Sequence, residues 1–245
     1  MKKIFFVPHL GLGDHFTCNG MTREIYKEAK IMVMLVKENN IKVVRRMFAD
    51  LKNLHLIPLV GSMDYTDTQH MQDAFALMSF FSTRGYEIRA VGAFSPQTFI
   101  RDNRKYDEIF YNQVGVDFQK RWDSFYYERD LEAEMQMFEE CFNLKKNEYV
   151  FLHDDPDRRR VINRDLLPSG LKIITPHQKF WDADILDYRY VLENANEIHC
   201  VNSSFADLMD SFDLSKVNRL CIHEYARQDD PVNYKHSFEI IKNYK

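Results

Sequence analysis

Short apolar runs that alternate with helix-forming segments constrain the fold of this chain more than any other feature. In the first half, the apolar runs predict buried strands at Lys3–Val7, Ile31–Val36, Leu54–Leu59 and Tyr86–Val91. The segments between them have the apolar periodicity of helices, at Cys18–Ala29, Ile41–Leu51 and Gln69–Ser82. Apolar strands separated by helices are typical of a parallel sheet that is covered on both faces.

The same alternation returns in the second half of the chain. Strands are predicted at Tyr149–Leu152, Leu171–Ile174, Glu197–Val201 and Leu220–His223, and helices at Ile185–Ala195 and from Ser203. We therefore expect an α/β protein of two Rossmann-like domains, residues 1–144 and 145–245, whose parallel sheets face a central cleft. In such folds ligands bind beyond the carboxyl ends of the strands.

The segment between the two halves has a different pattern. Residues 116–155 contain neither glycine nor proline, and large apolar side chains recur there mostly at helical spacing. These side chains are Phe118, Trp122, Phe125, Leu131, Met135, Phe138 and Phe142. The pattern predicts one long helix, or two abutting helices, that packs on the core and joins the two domains.

The balance of charges excludes two classes of partner. The chain has 33 basic and 37 acidic side chains, for a net charge of −4, and they are spread along its length. No basic tract indicates nucleic-acid binding, and no polybasic helix indicates a membrane surface.

The four cysteines lie in apolar segments without a CxxC spacing, which favours reduced thiols in a cytoplasmic protein. No apolar stretch approaches the ~20 residues of a transmembrane span or the ~7 to 15 of a signal-peptide core.

The motif GLGDH begins at Gly11, directly after the first predicted strand. Gly11 and Gly13 would let the backbone turn sharply and approach a ligand, and the helix that follows offers unpaired N–H groups. The motif is not a dinucleotide fingerprint, because Phe16 stands where GxGxxG needs glycine. Asp14 is then either a general base for a substrate hydroxyl or a helix cap. Gly11, Gly13 and His15 are candidate substrate contacts.

A second motif, FLHDDPDRRR, follows the strand that begins the second half. Its arginines, Arg158, Arg159 and Arg160, could hold phosphate oxygens in bidentate pairs, or could form a solvated cluster with the aspartates beside them. His153 and the two aspartates after it could bind a divalent metal ion. No second His/Asp pair at helical spacing completes such a coordination set, and we expect no metal site.

The third motif, VNSSF, joins a predicted strand to a predicted helix. Asn202, Ser203 and Ser204 are good N-cap residues, so the ordinary interpretation is a capped helix. The same geometry would present hydroxyls and backbone N–H groups to an anion such as a diphosphate. Two further candidates follow predicted strands on the same side of the sheet, namely His177 and Glu224.

The three motifs together resemble those of sugar-transferring enzymes. The VNSSF segment resembles the SNSSFS-like segment of fucosyltransferases, and His153 followed by arginines is similar to their HxRRGD-like donor-binding stretch. The GLGDH loop resembles the GDxxxxxP-type loop of bacterial heptosyltransferases. HDDPDRRR departs from the fucosyltransferase pattern, because it has aspartates where that pattern has arginine. All of these families have the GT-B fold, with two Rossmann-like domains.

The resemblance implies a metal-independent glycosyltransferase. Such an enzyme moves a sugar from a nucleoside-diphosphate sugar to an acceptor hydroxyl in glycan or polysaccharide synthesis, with inversion, and needs no cofactor besides the donor. The N-terminal domain would bind the acceptor, with Asp14 matching the general base. The C-terminal domain would bind the donor through Asn202, Ser203, Ser204 and Phe205, with His153 and one arginine of Arg158 to Arg160.

Three other functions stay open at this point. A sugar-nucleotide epimerase or hydrolase could use the same two domains and the same diphosphate site. A metal-dependent phosphohydrolase could be built on His153, Asp154 and Asp155. A non-catalytic binding protein is disfavoured by the concentration of three polar loops at one predicted cleft.

Overall fold

A computed structural model of the chain describes residues 1–60, 68–96, 104–176, 183–227 and 232–243. The chain forms two compact units: unit 1 is Met1–Glu128 with Pro231–Asn233, and unit 2 is Arg129–Asp230 with Tyr234–Lys245. The predicted division after residue 144 therefore lies inside unit 2. The physical reason is that helical residues 131–141 pack against helical residues 185–193 of the same unit.

Unit 1 contains a four-stranded parallel sheet with the order β3-β2-β1-β4. Its strands are β1 (Lys2–Val7), β2 (Ala29–Lys37), β3 (Leu54–Leu59) and β4 (Glu87–Ala90). Its helices are α1 (Leu12–Thr17), α2 (Asn19–Glu28), α3 (Ile41–Met47), α4 (Thr68–Ser82), α5 (Tyr106–Gln113) and α6 (Lys120–Asp123). The four strands predicted in this half are confirmed. The apolar run of β1 is fully buried on both faces, as expected for a central parallel strand.

Unit 2 contains a five-stranded parallel sheet with the order β6-β5-β7-β8-β9. Its strands are β5 (Tyr149–His153), β6 (Lys172–Ile174), β7 (Glu197–Cys200), β8 (Arg219–His223) and β9 (Glu239–Ile241). Its helices are α7 (Leu131–Gln136, continued by a π-helical turn at Met137–Cys141), α8 (Arg189–Glu193, preceded by a 3₁₀ turn at Ile185–Tyr188) and α9 (Ser204–Met209). Strand β9 was not predicted, because its few apolar residues follow a polar stretch.

The predicted long helix between the two halves is wrong. Helix α6 ends at Asp123 and α7 begins at Leu131, with no helix between them. The side chain of Asn19 on α2 bonds both backbone groups of Tyr126, its amide donating to the carbonyl and its oxygen accepting from the N–H, each at 3.1 Å. Arg23 donates to the same carbonyl at 3.1 Å. These side chains replace the helical hydrogen bonds of Tyr126, and no periodicity within the segment itself reports them.

Helix α2 packs closely against α6 through a glycine. A Cβ atom on Gly20 would lie 1.9 Å from the carbonyl oxygen of Lys120, so only glycine permits this approach.

None of the helices in the described ranges combines the length and the apolar character needed to cross a bilayer.

The two faces of the unit 2 sheet differ in chemistry, because successive residues of a strand point to opposite faces. On one face Phe151 packs on Phe205, with ring centroids 5.2 Å apart. On the other face Nδ1 of His199 lies 2.9 Å from Nε2 of His223, and Nε2 of His199 lies 2.9 Å from Oε2 of Glu197. Both histidines are fully buried. Burial lowers the pKa of both imidazoles, that of His223 to about 4.

Candidate functional site

Each sheet has a point at which its strand order reverses. In unit 1 the chain runs outward from β1 to β2 and β3, and then returns to the other side of β1 with β4. In unit 2 it runs from β5 to β6, and then to the other side of β5 with β7. Connections that leave two neighbouring strands in opposite directions open a crevice at their carboxyl ends, where open α/β sheets bind ligands. Each unit thus has one candidate site, between β1 and β4 and between β5 and β7.

In unit 1 the crevice holds a hydrogen-bonded histidine and aspartate. His9 lies two residues beyond β1, and its Nδ1 atom is 2.9 Å from Oδ2 of Asp14. The backbone N–H of Gly11 donates to the same carboxylate oxygen at 3.0 Å. Asp14 is the third residue of α1, so its carboxylate also caps the helix, in the way an acidic third residue reaches back to the N-cap N–H. Both side chains keep a partly open surface, 22% exposed for His9 and 13% for Asp14.

The ring of His9 is enclosed by residues that follow β4 and by α5. Gly92 has a left-handed backbone conformation (φ +61), and a Cβ atom there would lie 2.6 Å from Cδ2 of His9. The rings of Phe110 and Phe94 lie on other sides, with centroids 5.3 Å and 6.4 Å from the imidazole. The side-chain oxygen of Gln113 accepts the N–H of Gly92 at 2.8 Å and holds this turn in place. The imidazole therefore has a defined position.

The glycine argument from the GLGDH motif is wrong in its detail. Gly11 is the N-cap of α1 with φ −70 and ψ 154, an extended conformation that any residue adopts, and Gly13 lies within the helix. The glycine with a positive φ at this strand edge is Gly92.

His15, a predicted contact, lies on the inner side of α1 instead. It is only 1% exposed, and burial lowers the pKa of its imidazole to about 4. Among the described residues its Nε2 atom has no hydrogen-bond partner. Such burial is typical of a side chain that belongs to the core of unit 1.

In unit 2 the crevice holds a histidine and a serine from neighbouring strand ends. His153 is the last residue of β5, and its Nδ1 atom lies 2.9 Å from Oγ of Ser203, the N-cap residue of α9. The hydroxyl of Ser203 bonds His153 instead of capping the helix. The ring of Phe205 packs beside the imidazole, with centroids 4.6 Å apart, and is itself buried in the core. The predicted residues of two separate motifs are thus brought together.

Asn202 organises the segment that follows β8. Its side-chain oxygen accepts from the hydroxyl of Tyr234 at 3.2 Å, and its carbonyl accepts from the guanidinium of Arg227 at 2.5 Å. Arg227 and Ser204 are both half-buried. The bond from Arg227 therefore attaches a positively charged side chain to the residue that precedes Ser203.

The three arginines of HDDPDRRR lie in a tight turn and differ in exposure. Asp155 and Arg160 pair their backbones at 2.9 Å and close a tight turn, whose Arg159 has φ 58. Arg158 is 62% exposed and its guanidinium lies 3.3 Å from the carboxylate of Asp155. Arg159 is also exposed, and Arg160 is half-buried. The interpretation as a solvated charge cluster therefore describes Arg158 and Arg159.

The acidic residues of the same motif do not converge with His153. Asp154 is fully buried and accepts from the backbone N–H of Ile162 and from the guanidinium of Arg164, at 3.1 and 2.7 Å. The side chain of Asp155 accepts instead from the backbone N–H of Arg158. Within the described ranges, no group of three or more His, Cys, Asp or Glu side chains is placed to hold a metal ion.

Two candidates from the sequence remain. Glu224 forms an exposed ion pair with Lys242 at 3.7 Å. His177 lies outside the described residues.

The residues that the sequence interpretation missed are His9, Gly92 and Arg227. No motif contains them. Gly92 and Arg227 are defined by partners far away in the chain, the ring of His9 and the carbonyl of Asn202, whereas His9 stands just before GLGDH and bonds its aspartate. The signal that could have indicated two of them is their position directly after a predicted strand. His9 and Gly92 each follow a predicted strand within two residues.

No protein-family model matches the sequence, and no curated protein matches it either. Solved structures are similar. Glycosyl transferase family 9 protein from Veillonella parvula DSM 2008 has a TM-score of 0.58 and 10% identity, over 100% of this chain and 88% of that one. E. coli heptosyltransferase WaaC with ADP has a TM-score of 0.46 and 13% identity over 90% and 86%. E. coli ADP-heptose LPS heptosyltransferase II has a TM-score of 0.45 and 7% identity, over 91% of this chain and 90% of that one.

The first of these similarities decides the fold, since it spans the whole chain. This chain has the GT-B fold of glycosyltransferases. The expected fold class is therefore confirmed. The two heptosyltransferase similarities have lower TM-scores and add no argument. The resemblance of VNSSF to fucosyltransferases stays a prediction.

Proposed function

We propose that this protein is a glycosyltransferase that moves a sugar from a nucleoside-diphosphate sugar to an acceptor hydroxyl. One observation carries the proposal. In a chain with the GT-B fold, each unit has a hydrogen-bonded histidine at the switch point of its own parallel sheet, His9 with Asp14 and His153 with Ser203. Fold alone does not specify chemistry, so the argument depends on these two sites.

In the proposal, unit 2 binds the donor. The neutral His153–Ser203 pair offers one proton to a diphosphate oxygen, from Nε2 of His153 or from the hydroxyl of Ser203, according to which of the two donates in their shared hydrogen bond. The guanidinium of Arg227 supplies positive charge. These groups also stabilise the diphosphate as it leaves, because charge that develops in the transition state is best met by donors already in position. Asn202 acts through Arg227 and Tyr234, which its oxygens hold.

In the proposal, unit 1 binds the acceptor, and the His9–Asp14 pair takes up the proton of its hydroxyl. A positioned proton acceptor is needed because an alcohol attacks poorly while it keeps its proton. In the proposal the acceptor hydroxyl attacks the anomeric carbon directly, and such a single displacement inverts the anomeric centre.

A thermal-shift panel tests the donor half of the proposal. UDP, GDP and ADP, with CMP as a control, are each added with magnesium and with chelator. A diphosphate at about 100 times its Kd stabilises the folded protein by about 2.7 kcal/mol, so selective binding is readily detected. We expect one diphosphate to raise Tm equally in both conditions. His153→Ala should reduce that shift, whereas His55→Ala, at an exposed position on β3, should not.

Two outcomes would contradict the proposal. If no diphosphate stabilises the protein and only a divalent metal does, the glycosyltransferase assignment fails. If the selected nucleotide sugar is consumed equally fast with and without an added hydroxyl acceptor, the activity is that of a hydrolase or an epimerase.

A further inference from the structure

We propose that His9 is the catalytic base of this site and that Asp14 is its positioning residue. The inference rests on the proposed glycosyl transfer and assigns its proton-accepting atom. A sequence comparison of GLGDH with heptosyltransferase loops points to Asp14 itself as the base. The geometry of unit 1 points to Nε2 of His9.

The hydrogen bonds of Asp14 carry the first step of the argument. One oxygen, Oδ2, accepts both the N–H of Gly11 at 3.0 Å and Nδ1 of His9 at 2.9 Å. An ionised carboxylate only accepts hydrogen bonds, so Nδ1 of His9 must carry the proton of that contact. In the neutral ring the second nitrogen, Nε2, is then the basic atom.

The enclosure of the ring carries the second step. Gly92 approaches the imidazole more closely than any other residue type would allow, and Phe110 and Phe94 flank it. Together with the bond to Asp14, these contacts limit rotation about both side-chain torsions of His9. A base whose position is set before the substrate arrives requires no further ordering during the reaction. The ring is nevertheless 22% exposed, so a hydroxyl can reach its edge.

In the proposed step, the acceptor oxygen forms a bond to the anomeric carbon while the bond from that carbon to the diphosphate oxygen breaks. The electron pair of the broken bond leaves with the nucleoside diphosphate. The hydroxyl proton passes to Nε2 of His9. The resulting imidazolium is stabilised by the carboxylate of Asp14 and later releases its proton to water.

Kinetics of three variants and one control variant test the assignment. The assay follows release of nucleoside diphosphate from a panel of ADP-, GDP- and UDP-linked sugars, with glycerol as the hydroxyl acceptor. Gln can keep a hydrogen bond to Asp14 but cannot take a proton, so His9→Gln should lower kcat by about 10²- to 10⁴-fold with little change in donor KM. His9→Ala leaves a space of the size of imidazole, and added imidazole should restore at least about tenfold of its lost kcat. Asp14→Asn should lose kcat without rescue, and His55→Gln should equal the unaltered protein.

A spectroscopic measurement tests the same assignment without turnover. In protein labelled with ¹⁵N-histidine, the resonances of His9 are assigned by their loss in His9→Gln. We expect the neutral ring to carry its proton on Nδ1 rather than on Nε2, and Asp14→Asn to mix the two tautomers.

The outcomes separate the two proposals. If the unaltered protein releases no nucleoside diphosphate from any donor, the proposed function fails and the role of His9 with it. If it releases diphosphate but His9→Gln keeps kcat within about threefold, or imidazole does not rescue His9→Ala, only the role of His9 is overturned. A neutral ring that carries its proton on Nε2 overturns that role as well.

Discussion

His9 in unit 1 and His153 in unit 2 occupy equivalent places in their sheets but have different partners. Each lies at or just beyond the carboxyl end of the first strand of its unit, at the point where the strand order reverses. His9 bonds a carboxylate, whereas His153 bonds the hydroxyl of Ser203, and both distances are 2.9 Å. The same fold position therefore supports two kinds of imidazole chemistry.

The partner determines what each imidazole can do. A carboxylate accepts only, so it sets the tautomer of His9 and stabilises the cation that forms when Nε2 takes a proton. A hydroxyl can donate or accept, so Ser203 leaves His153 free to adopt either tautomer and gives no charge to stabilise an imidazolium. We infer that unit 1 is suited to moving a proton and unit 2 to holding an anion.

The largest expected effect comes from removing each side of the comparison in turn. Asp14→Ala should lower kcat by about 10²-fold and leave donor affinity nearly unchanged, because the proposed donor site lies in unit 2. His153→Ala should do the opposite, raising donor KM by about tenfold, which corresponds to one hydrogen bond to a charged group. Steady-state kinetics on both variants measures this crossover. Equal losses of kcat in the two variants would mean that the two histidines share one role.

A second effect separates these two histidines from three that are buried. His15, His199 and His223 have pKa values lowered by burial, to about 4 for His15 and His223. Between pH 6.5 and 4 the unfolded chain therefore binds more protons than the folded protein. The free energy of unfolding should fall as pH drops through this window, by about 3 kcal/mol for His15 alone, and this contribution is complete above pH 6.5.

Urea denaturation at several pH values measures this dependence. Around His15 the carboxylate of Asp14 opposes the lowered pKa and the ring of His9 adds to it, but burial is the largest cause. His15→Leu removes one titrating group and should make the acid slope shallower. An unchanged slope would show that His15 does not contribute.

A third, smaller effect tests the enclosure of the His9 ring. Gly92→Ala and Gly115→Ala both place a side chain at positive φ, +61 and +70, which is unfavourable by about 1–2 kcal/mol. Only Gly92 has the ring of His9 within contact range, since nothing lies within 4 Å of a Cβ at Gly115. We expect Gly92→Ala to lower the free energy of unfolding by roughly 1–3 kcal/mol more than Gly115→Ala does. It should lower kcat as well. Equal free energies of unfolding for the two variants would contradict the close contact.

The smallest effect concerns the arginines of unit 2. Arg158 is exposed and paired with a nearby aspartate, so Arg158→Gln should change stability by less than about 0.5 kcal/mol and leave diphosphate affinity unchanged. Arg227→Gln should weaken binding of the selected diphosphate several-fold. Isothermal titration of both variants gives the comparison, and a loss confined to Arg158→Gln would return the anion site to the HDDPDRRR loop.

The fold was predictable because its signal is local and repeated. Each buried parallel strand must be apolar on both faces, so runs such as Ile4–Val7 are visible without any knowledge of their neighbours. The ends of those runs also located His153 and the serines of VNSSF at one sheet edge. The positions of the polar loops follow from this alternation, since parallel strands end on the same side.

Where the structure differs from the sequence prediction, the cause lies outside the local sequence pattern. The segment near Tyr126 has helical periodicity, yet side chains of α2 satisfy its backbone in a non-helical form. The sequence of HDDPDRRR is compatible with an anion site or with a solvated cluster, and a backbone bridge that closes the turn leaves Arg158 and Arg159 exposed. In each case a partner distant in sequence, or a turn closed by the backbone, overrides a local pattern.

By itself the sequence determined the two parallel sheets, their order of elements and the loops that carry polar groups. Only the tertiary structure decided which polar groups meet. Asp14 became a partner of His9, Ser203 a partner of His153 and Arg227 a partner of Asn202. The physical reason is that burial of apolar runs depends on composition along the chain, whereas a hydrogen bond depends on the distance and direction between two atoms that folding alone brings together.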